Sequence, residues 1–160
     1  MISIAPFSQR YAQGVVEVIL TIQRVEFAIP ITLEAQPDLQ RISRFYQRGN
    51  GNFWVALDEQ EVVGTLGLLD ISNRQTALRK MFVKASHRGH ERGVAKQLLD
   101  TLMAWCQTRN VLDIYLGTMD IFFAAHRFYE KNGFQVIERA ALPASFPVMA
   151  VDNRFYYRTL

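Results

Sequence analysis

One stretch constrains this chain more than any other. Thr76 to Lys84, which contains Leu78-Arg79-Lys80-Met81-Phe82-Val83, reads as a strand. It runs into a basic, glycine-bearing turn, Ala85-Ser86-His87-Arg88-Gly89-His90-Glu91-Arg92-Gly93, and then into a helix with apolar Val94, Leu98 and Leu102 against polar Lys96, Gln97 and Asp100. A strand, a glycine turn and a helix start together make an anion site. The first-turn amides of a helix have no intrahelical acceptor and point out of its end. The macrodipole adds about 0.3–1 kcal/mol for an exposed anion. Gly89 and Gly93 permit positive φ and let a ligand approach the backbone, and Arg88, Arg92 and Lys96 place charge around the same turn. Read by itself, the stretch is equally a basic strand–helix connection. It is not a Walker loop, because no Gly-Lys-Ser/Thr follows, and Gly-x-Gly-x-x-Gly is absent.

The rest of the composition is that of a globular chain. The 160 residues fit one domain, 1–160, and 49% hydrophobic residues supply a sizeable core. The formal net charge of +3 suits a polyanionic cofactor and is too small to require nucleic acid. The single cysteine, Cys106, falls within an amphipathic helical pattern and reads as packing; it allows no internal disulfide, which fits a reducing compartment. The N-terminus shows no secretory pattern, and Val15–Leu20 is too short and is broken by Glu17, so a cytoplasmic protein away from the membrane is expected.

Along the chain, Ile2, Ile4 and Phe7 suggest a short strand. Ser8 stands as N-cap to a helix reaching about Arg24, with Tyr11, Val15, Val18/Ile19 and Ile22 on one face. A second helix opens at Pro37-Asp38 and stops at Gly49 and Gly51. Phe53–Leu57 and Glu61–Ile71 are strands, and Gly64 and Gly67 inside the second signal a bulge or a close backbone approach. After the helix that follows the turn come a strand at Leu112–Leu116, a helix capped by Asp120 and stopped by Asn132-Gly133, a strand at Phe134–Ile137, and a last strand within Met149–Tyr157. Hairpin strands combined with crossover helices imply an α+β fold with a mixed, mostly antiparallel central sheet flanked by helices.

Two motifs carry a resemblance. The strand Leu78–Val83, Arg88-Gly89 and Gly93-Val94-Ala95-x-x-Leu98-Leu99 resemble the acetyl-coenzyme A binding motif of the GNAT superfamily of N-acetyltransferases, Gln/Arg-x-x-Gly-x-Gly/Ala. Anchored on Gly93-Val94-Ala95, the first motif position falls on His90, and Arg88-Gly89 sits two residues early. Ala124-Ala125-His126-Arg127-Phe128-Tyr129-Glu130-Lys131-Asn132-Gly133-Phe134 is similar to the second GNAT signature, with Phe122 where the family often has Asn. The element order matches that family along essentially the whole chain.

The resemblance implies acetyl-coenzyme A as co-substrate and no metal. Met81, Phe82 and Val83 would lie along the pantetheine arm, and Arg88, Gly89, His90, Glu91, Arg92, Gly93, Val94 and Ala95 around the pyrophosphate. Backbone amides near Met81–Val83 would polarise the thioester carbonyl. Tyr129 matches the tyrosine that donates to the leaving sulfur. The reaction needs a neutral amine, and freeing a lysine-like amine of pKa about 10.4 at neutral pH costs roughly 4–5 kcal/mol. Glu26, at the junction of the first two helices, is the first candidate base, with Glu34, Asp70 and Asp120 as competitors. His87, His90 and His126 lack metal-site spacing, and no Ser-His-Asp set is readable. The loop Leu142–Met149 and Phe27 suggest an apolar acceptor wall, suited to a small amine or amino-acid derivative, with a protein amine and a homodimer left open. The other reading is a non-catalytic module of the same fold that binds or senses acyl-coenzyme A.

Overall fold

A computed structural model describes residues 1–160. The order is β1 (Ile2–Pro6), α1 (Ala12–Leu20), α2 (Ile42–Tyr46), β2 (Asn52–Asp58), β3 (Glu61–Asp70), β4 (Gln75–Val83), α3 (Val94–Thr108), β5 (Asp113–Thr118), α4 (Phe123–Lys131), β6 (Gln135–Val136) and β7 (Arg154–Thr159). The strands form one sheet in the order β1-β2-β3-β4-β5-β7-β6. Every neighbouring pair is antiparallel except β4 and β5. The mixed, mostly antiparallel sheet expected from the sequence is therefore present.

Both faces of the sheet are covered. Phe53, Val55 and Leu57 of β2 point to the face packed by α1 and α2, with Val15, Ile19 and Tyr46. Trp54 and Ala56 point to the other face, with Leu98, Leu99, Leu102 and Cys106 of α3 and Tyr129 of α4. Alternate side chains thus enter two cores, and the strand reads as one unbroken apolar run. Cys106 is fully buried within this core, as a packing residue would be, and burial pushes its thiol up to about 12.

Several element ends differ from expectation for identifiable reasons. The first helix does not finish regularly at Arg24: its last turn widens into a π-helical stretch, Thr21–Glu26. The second is a 3₁₀ turn, Pro37–Gln40, followed by a five-residue α-helix. Ser8 makes no side-chain cap bond. Asp120 does not cap α4 either; Phe122 holds that position, and the Asp120 amide donates instead to Asn153 Oδ1 at 2.8 Å. Gly64 and Gly67 do mark irregular pairing. The register slips between Ala56 and Leu57 on one side of β3, and between Thr65 and Gly67 on the other.

The second slip builds the site. Thr65 faces Phe82 while Gly67 faces Arg79, so β4 carries one residue more than β3 across this span. The extra residue is absorbed at Lys80, whose φ is +57°, and Thr65 Oγ1 donates to the Lys80 carbonyl at 2.7 Å. Beyond this bend β4 leaves its parallel neighbour. Only Gln75, Thr76 and Ala77 pair with β5, although β5 runs on to Thr118 and β4 to Val83. From Leu78 to Val83 the β5-facing edge of β4 has no strand partner, and a cleft opens between the two strands.

Candidate active site

That cleft is one continuous cavity of about 1010 Å³. Its walls are Leu78–Val83 of β4, Gly117 and Thr118 of β5, the start of α3, and α4 through Tyr129. One end is the glycine turn. There Gly89 has φ +107° and Gly93, the N-cap of α3, has φ +66°. Little surrounds either position, so it is the backbone conformation, not space, that asks for glycine. The amides of Val94, Ala95 and Lys96 have no backbone acceptor. They open a 15-residue helix, and His90, Lys96 and Arg88 stand beside them. Free amides and cationic side chains at this end can receive an anion.

Of the residues singled out for a cofactor, Met81, Phe82, Val83, Arg88, Gly89, His90, Gly93 and Ala95 all border the cavity. Three do not. Glu91 and Arg92 are exposed on the outer side of the turn, and the Val94 side chain is buried in the core beneath α3, so that only its amide can reach a ligand. The turn is also braced by side chains: His87, which itself borders the cavity, has Nε2 2.8 Å from Asp58 Oδ2, and Ser86 Oγ lies 2.7 Å from His87 Nδ1. This Ser-His-Asp chain, which the sequence did not disclose, ties the turn to β2.

Glu26 is engaged elsewhere. Both of its oxygens accept from the Arg88 guanidinium, one at 2.7 Å. The Arg88 hydrogen bonds hold its carboxyl below the usual carboxylate range, and it does not border the cavity. A carboxylate so occupied is a weak base. For the acetyl transfer that the sequence resemblance implies, Glu26→Gln is expected to change kcat/KM by less than about tenfold, against the ~10²–10⁴-fold loss that removal of a general base produces; steady-state kinetics of the variant beside the wild type checks this. Glu34, Asp70 and Asp120 lie outside the cavity as well.

The carboxylate that does border it is Asp152, in the turn before β7. Burial raises its pKa to about 6, against the opposing charges of Arg79 and Lys80 and a Met149 backbone amide. Its place depends on Gly117: a β-carbon there would lie 2.6 Å from Asp152 Oδ2. Asp152 acts electrostatically on Tyr129, whose pKa is raised by burial first and by Asp152 next. The Tyr129 ring is only 4% exposed, yet its hydroxyl has no hydrogen bond within the protein and is not sealed off, so it opens to the cavity. The cavity thus brings together a carboxylate titrating near neutrality and a phenol with an uncommitted proton.

Above them the two sides of the cleft meet. Phe27, after the π-helical stretch, packs edge-to-face on Phe122 at 4.8 Å. An aromatic bridge therefore stands where the family often has a polar Asn. Phe146, Pro147 and Met149 complete the apolar wall that the sequence suggested. His126 is not part of the site: it is buried, and its Nε2 meets the Met119 carbonyl at 2.9 Å. No cluster of side chains suited to a metal ion is found, and no helix is long and apolar enough to cross a membrane.

Comparison with known proteins bears on the fold and the family. The crystal structure of an acetyltransferase of the GNAT family from Staphylococcus aureus Mu50 superposes with a TM-score of 0.95 at 44% identity, covering 99% of each chain. "Probable N-acetyltransferase family 8 member 5" of Mus musculus is 35% identical over 105 residues, 62% of this chain and 45% of its own length. N-acetylaspartate synthetase of Xenopus tropicalis is 32% identical over 111 residues, 66% of this chain and 40% of its own. The chain spans less than half the length of these curated relatives. Residues 17–134, which run from α1 past the cavity-forming strands to the end of α4, match the profile described as "Acetyltransferase (GNAT) family", and the chain belongs to that family.

Proposed function

We propose that this protein transfers the acetyl group of acetyl-coenzyme A to a primary amine of a small molecule by direct attack. One observation carries the reading: a single cavity joins a helix-start anion site to Asp152 and the open hydroxyl of Tyr129. The residues fit the co-substrate. The free amides of Val94, Ala95 and Lys96, with His90, would hold its pyrophosphate, Arg88 would brace the turn through Glu26 and the Val83 carbonyl, and the edge of β4 from Leu78 to Val83 that lacks a strand partner would pair with its amide-bearing arm.

The chemistry follows from the two ionisable groups. Asp152, ionised above pH about 6, takes one proton from the acceptor's ammonium. The freed nitrogen attacks the thioester carbonyl carbon, whose oxygen takes up the negative charge, and strand amides of β4 would receive it. Collapse of the tetrahedral species breaks the carbon–sulfur bond. The Tyr129 hydroxyl donates a hydrogen bond to the departing sulfur, the second nitrogen proton passes to that sulfur, and Asp152 returns its own proton to solvent. Asp152 takes the place that the sequence offered to Glu26.

The reading is tested by following thiol release from acetyl-coenzyme A with a panel of primary amines. Amine-dependent release with matching formation of an N-acetyl product supports it. Tight binding of coenzyme A with no amine acetylated would instead leave a non-catalytic module.

A further inference from the structure

We propose that Arg79 and Lys80 form a recognition site for a carboxylate on the acceptor, so that the amine acetylated is that of an amino acid or related aminocarboxylate. The inference rests on the transferase reading and adds the substrate class.

Both cations sit where β4 bends away from β5, in the wall of the cavity, on the stretch of strand that precedes the anion site by several residues. Their side chains are only 12% and 9% exposed. Buried cations need paired anions or many hydrogen bonds. Lys80 Nζ donates to Gln36 Oε1 at 2.6 Å. Arg79 is less well served: it reaches the Met149 thioether at 3.4 Å and Asp38 Oδ2 at 3.8 Å, and otherwise stacks over Phe45 and Tyr46 at 5.4 and 5.9 Å. A guanidinium has five N–H donors in a planar fork that matches a carboxylate. Here a thioether is its nearest acceptor.

The one carboxylate beside both cations is shared. Asp38 Oδ2 accepts from the Tyr46 hydroxyl at 2.6 Å and lies 3.8 Å from each cation. Asp152 interacts with Arg79 and Lys80 through space but forms no ion pair with either. The charge balance then changes during the reaction. Once Asp152 accepts the amine's proton it is neutral, and two buried cations are left with Asp38 alone. A plain amine would leave this surplus in place. An acceptor carrying its own carboxylate removes it, with the carboxylate on Arg79 and the amine against Asp152. Gln23 and Gln36, also in the wall, hold each other through reciprocal amide bonds of 3.1 and 2.9 Å, so their orientation is fixed before the acceptor arrives.

The test compares matched acceptors with the wild-type protein: amino acids and ω-amino acids against their carboxamides and decarboxylated amines, with thiol release as the readout. The expected result is a kcat/KM roughly 10- to 100-fold higher for the carboxylates, carried mainly by KM, as suits a charge-assisted hydrogen bond. In Arg79→Gln the ratio of carboxylate to carboxamide should fall toward one. Should that variant fold poorly, the wild-type ratio decides alone, together with calorimetric titration of an N-acetylamino acid against its amide. Carboxylates and carboxamides acetylated within about threefold of each other would overturn this inference and leave the transferase intact, since such a ratio is below the worth of one charged hydrogen bond. Acetylation of no amine at all would overturn both.

Discussion

Asp152→Asn is expected to lower kcat/KM by about 10²–10⁴-fold while making the protein more stable. The two effects have one cause. Burial lifts the Asp152 carboxyl from 3.8 to about 6, so the folded protein binds that proton more tightly than the unfolded chain. The sign follows from linkage: the stability this group contributes is fully present below pH about 4 and is lost as pH rises through about 6. At neutral pH the ionised, half-buried carboxylate therefore costs at most about 3 kcal/mol. Asparagine keeps the size, removes the charge and relieves that cost, and a domain of this length gains roughly 2–4 °C in Tm per kcal/mol. For activity the same numbers predict that log kcat/KM rises with pH and levels off above an apparent pKa near 6, and that this limb disappears in Asp152→Asn. The groups facing Asp152 are Arg79, Lys80 and Tyr129. Burial and the Asp152 charge move the Tyr129 phenol upward, away from that window, while burial lowers Lys80 from its ordinary value, so the loss of the limb in Asp152→Asn is what assigns it to Asp152. Loss of activity in the variant with no gain in Tm would contradict the account of a strained base.

Tyr129→Phe is expected to lower kcat by roughly 10- to 100-fold with little change in the KM for acetyl-coenzyme A, because it removes a hydrogen bond formed to a charged leaving group. Burial raises the phenol above its ordinary pKa near 10, while a thiol titrates near 8.5. Full transfer of the phenolic proton to the thiolate is thus uphill, and donation of a hydrogen bond is the role that fits. The ring itself belongs to the core, packed against Phe134 and Tyr156 at 5.7 and 5.8 Å, and phenylalanine preserves that packing. The variant should keep its Tm within a degree or so of the wild type, because the hydroxyl it loses has no partner within the fold. Thioesters with more acidic thiols should suffer less from the substitution, and equal losses across such a series would contradict the assignment.

The sheet was legible in the sequence because its signals are local. Phe53–Leu57 and Glu61–Asp70 are apolar runs bounded by turns, and the order of elements follows from such runs. The anion site was legible for the same reason: strand, glycine turn and helix start are contiguous, and Gly89 and Gly93 stand at positive φ. What escaped depends on contacts distant in sequence. Asp152 falls within Met149–Tyr157, a stretch read only for its last strand, and only the placement of β7 beside β5 brings it against Gly117. Glu26 reads as an available carboxylate, and only the fold shows Arg88 occupying it. Arg79 and Lys80 read only as part of the strand Thr76 to Lys84. Their pairing with Asp38, Gln36 and the bend at Lys80 is a product of tertiary packing.

The most direct measurement is a crystal structure of the protein with coenzyme A. The pyrophosphate should lie on the amides of Val94, Ala95 and Lys96, the arm along Leu78–Val83, and the sulfur within hydrogen-bonding distance of the Tyr129 hydroxyl with Asp152 across the cavity. Coenzyme A bound away from the start of α3, or with its sulfur turned from Tyr129, would contradict the account.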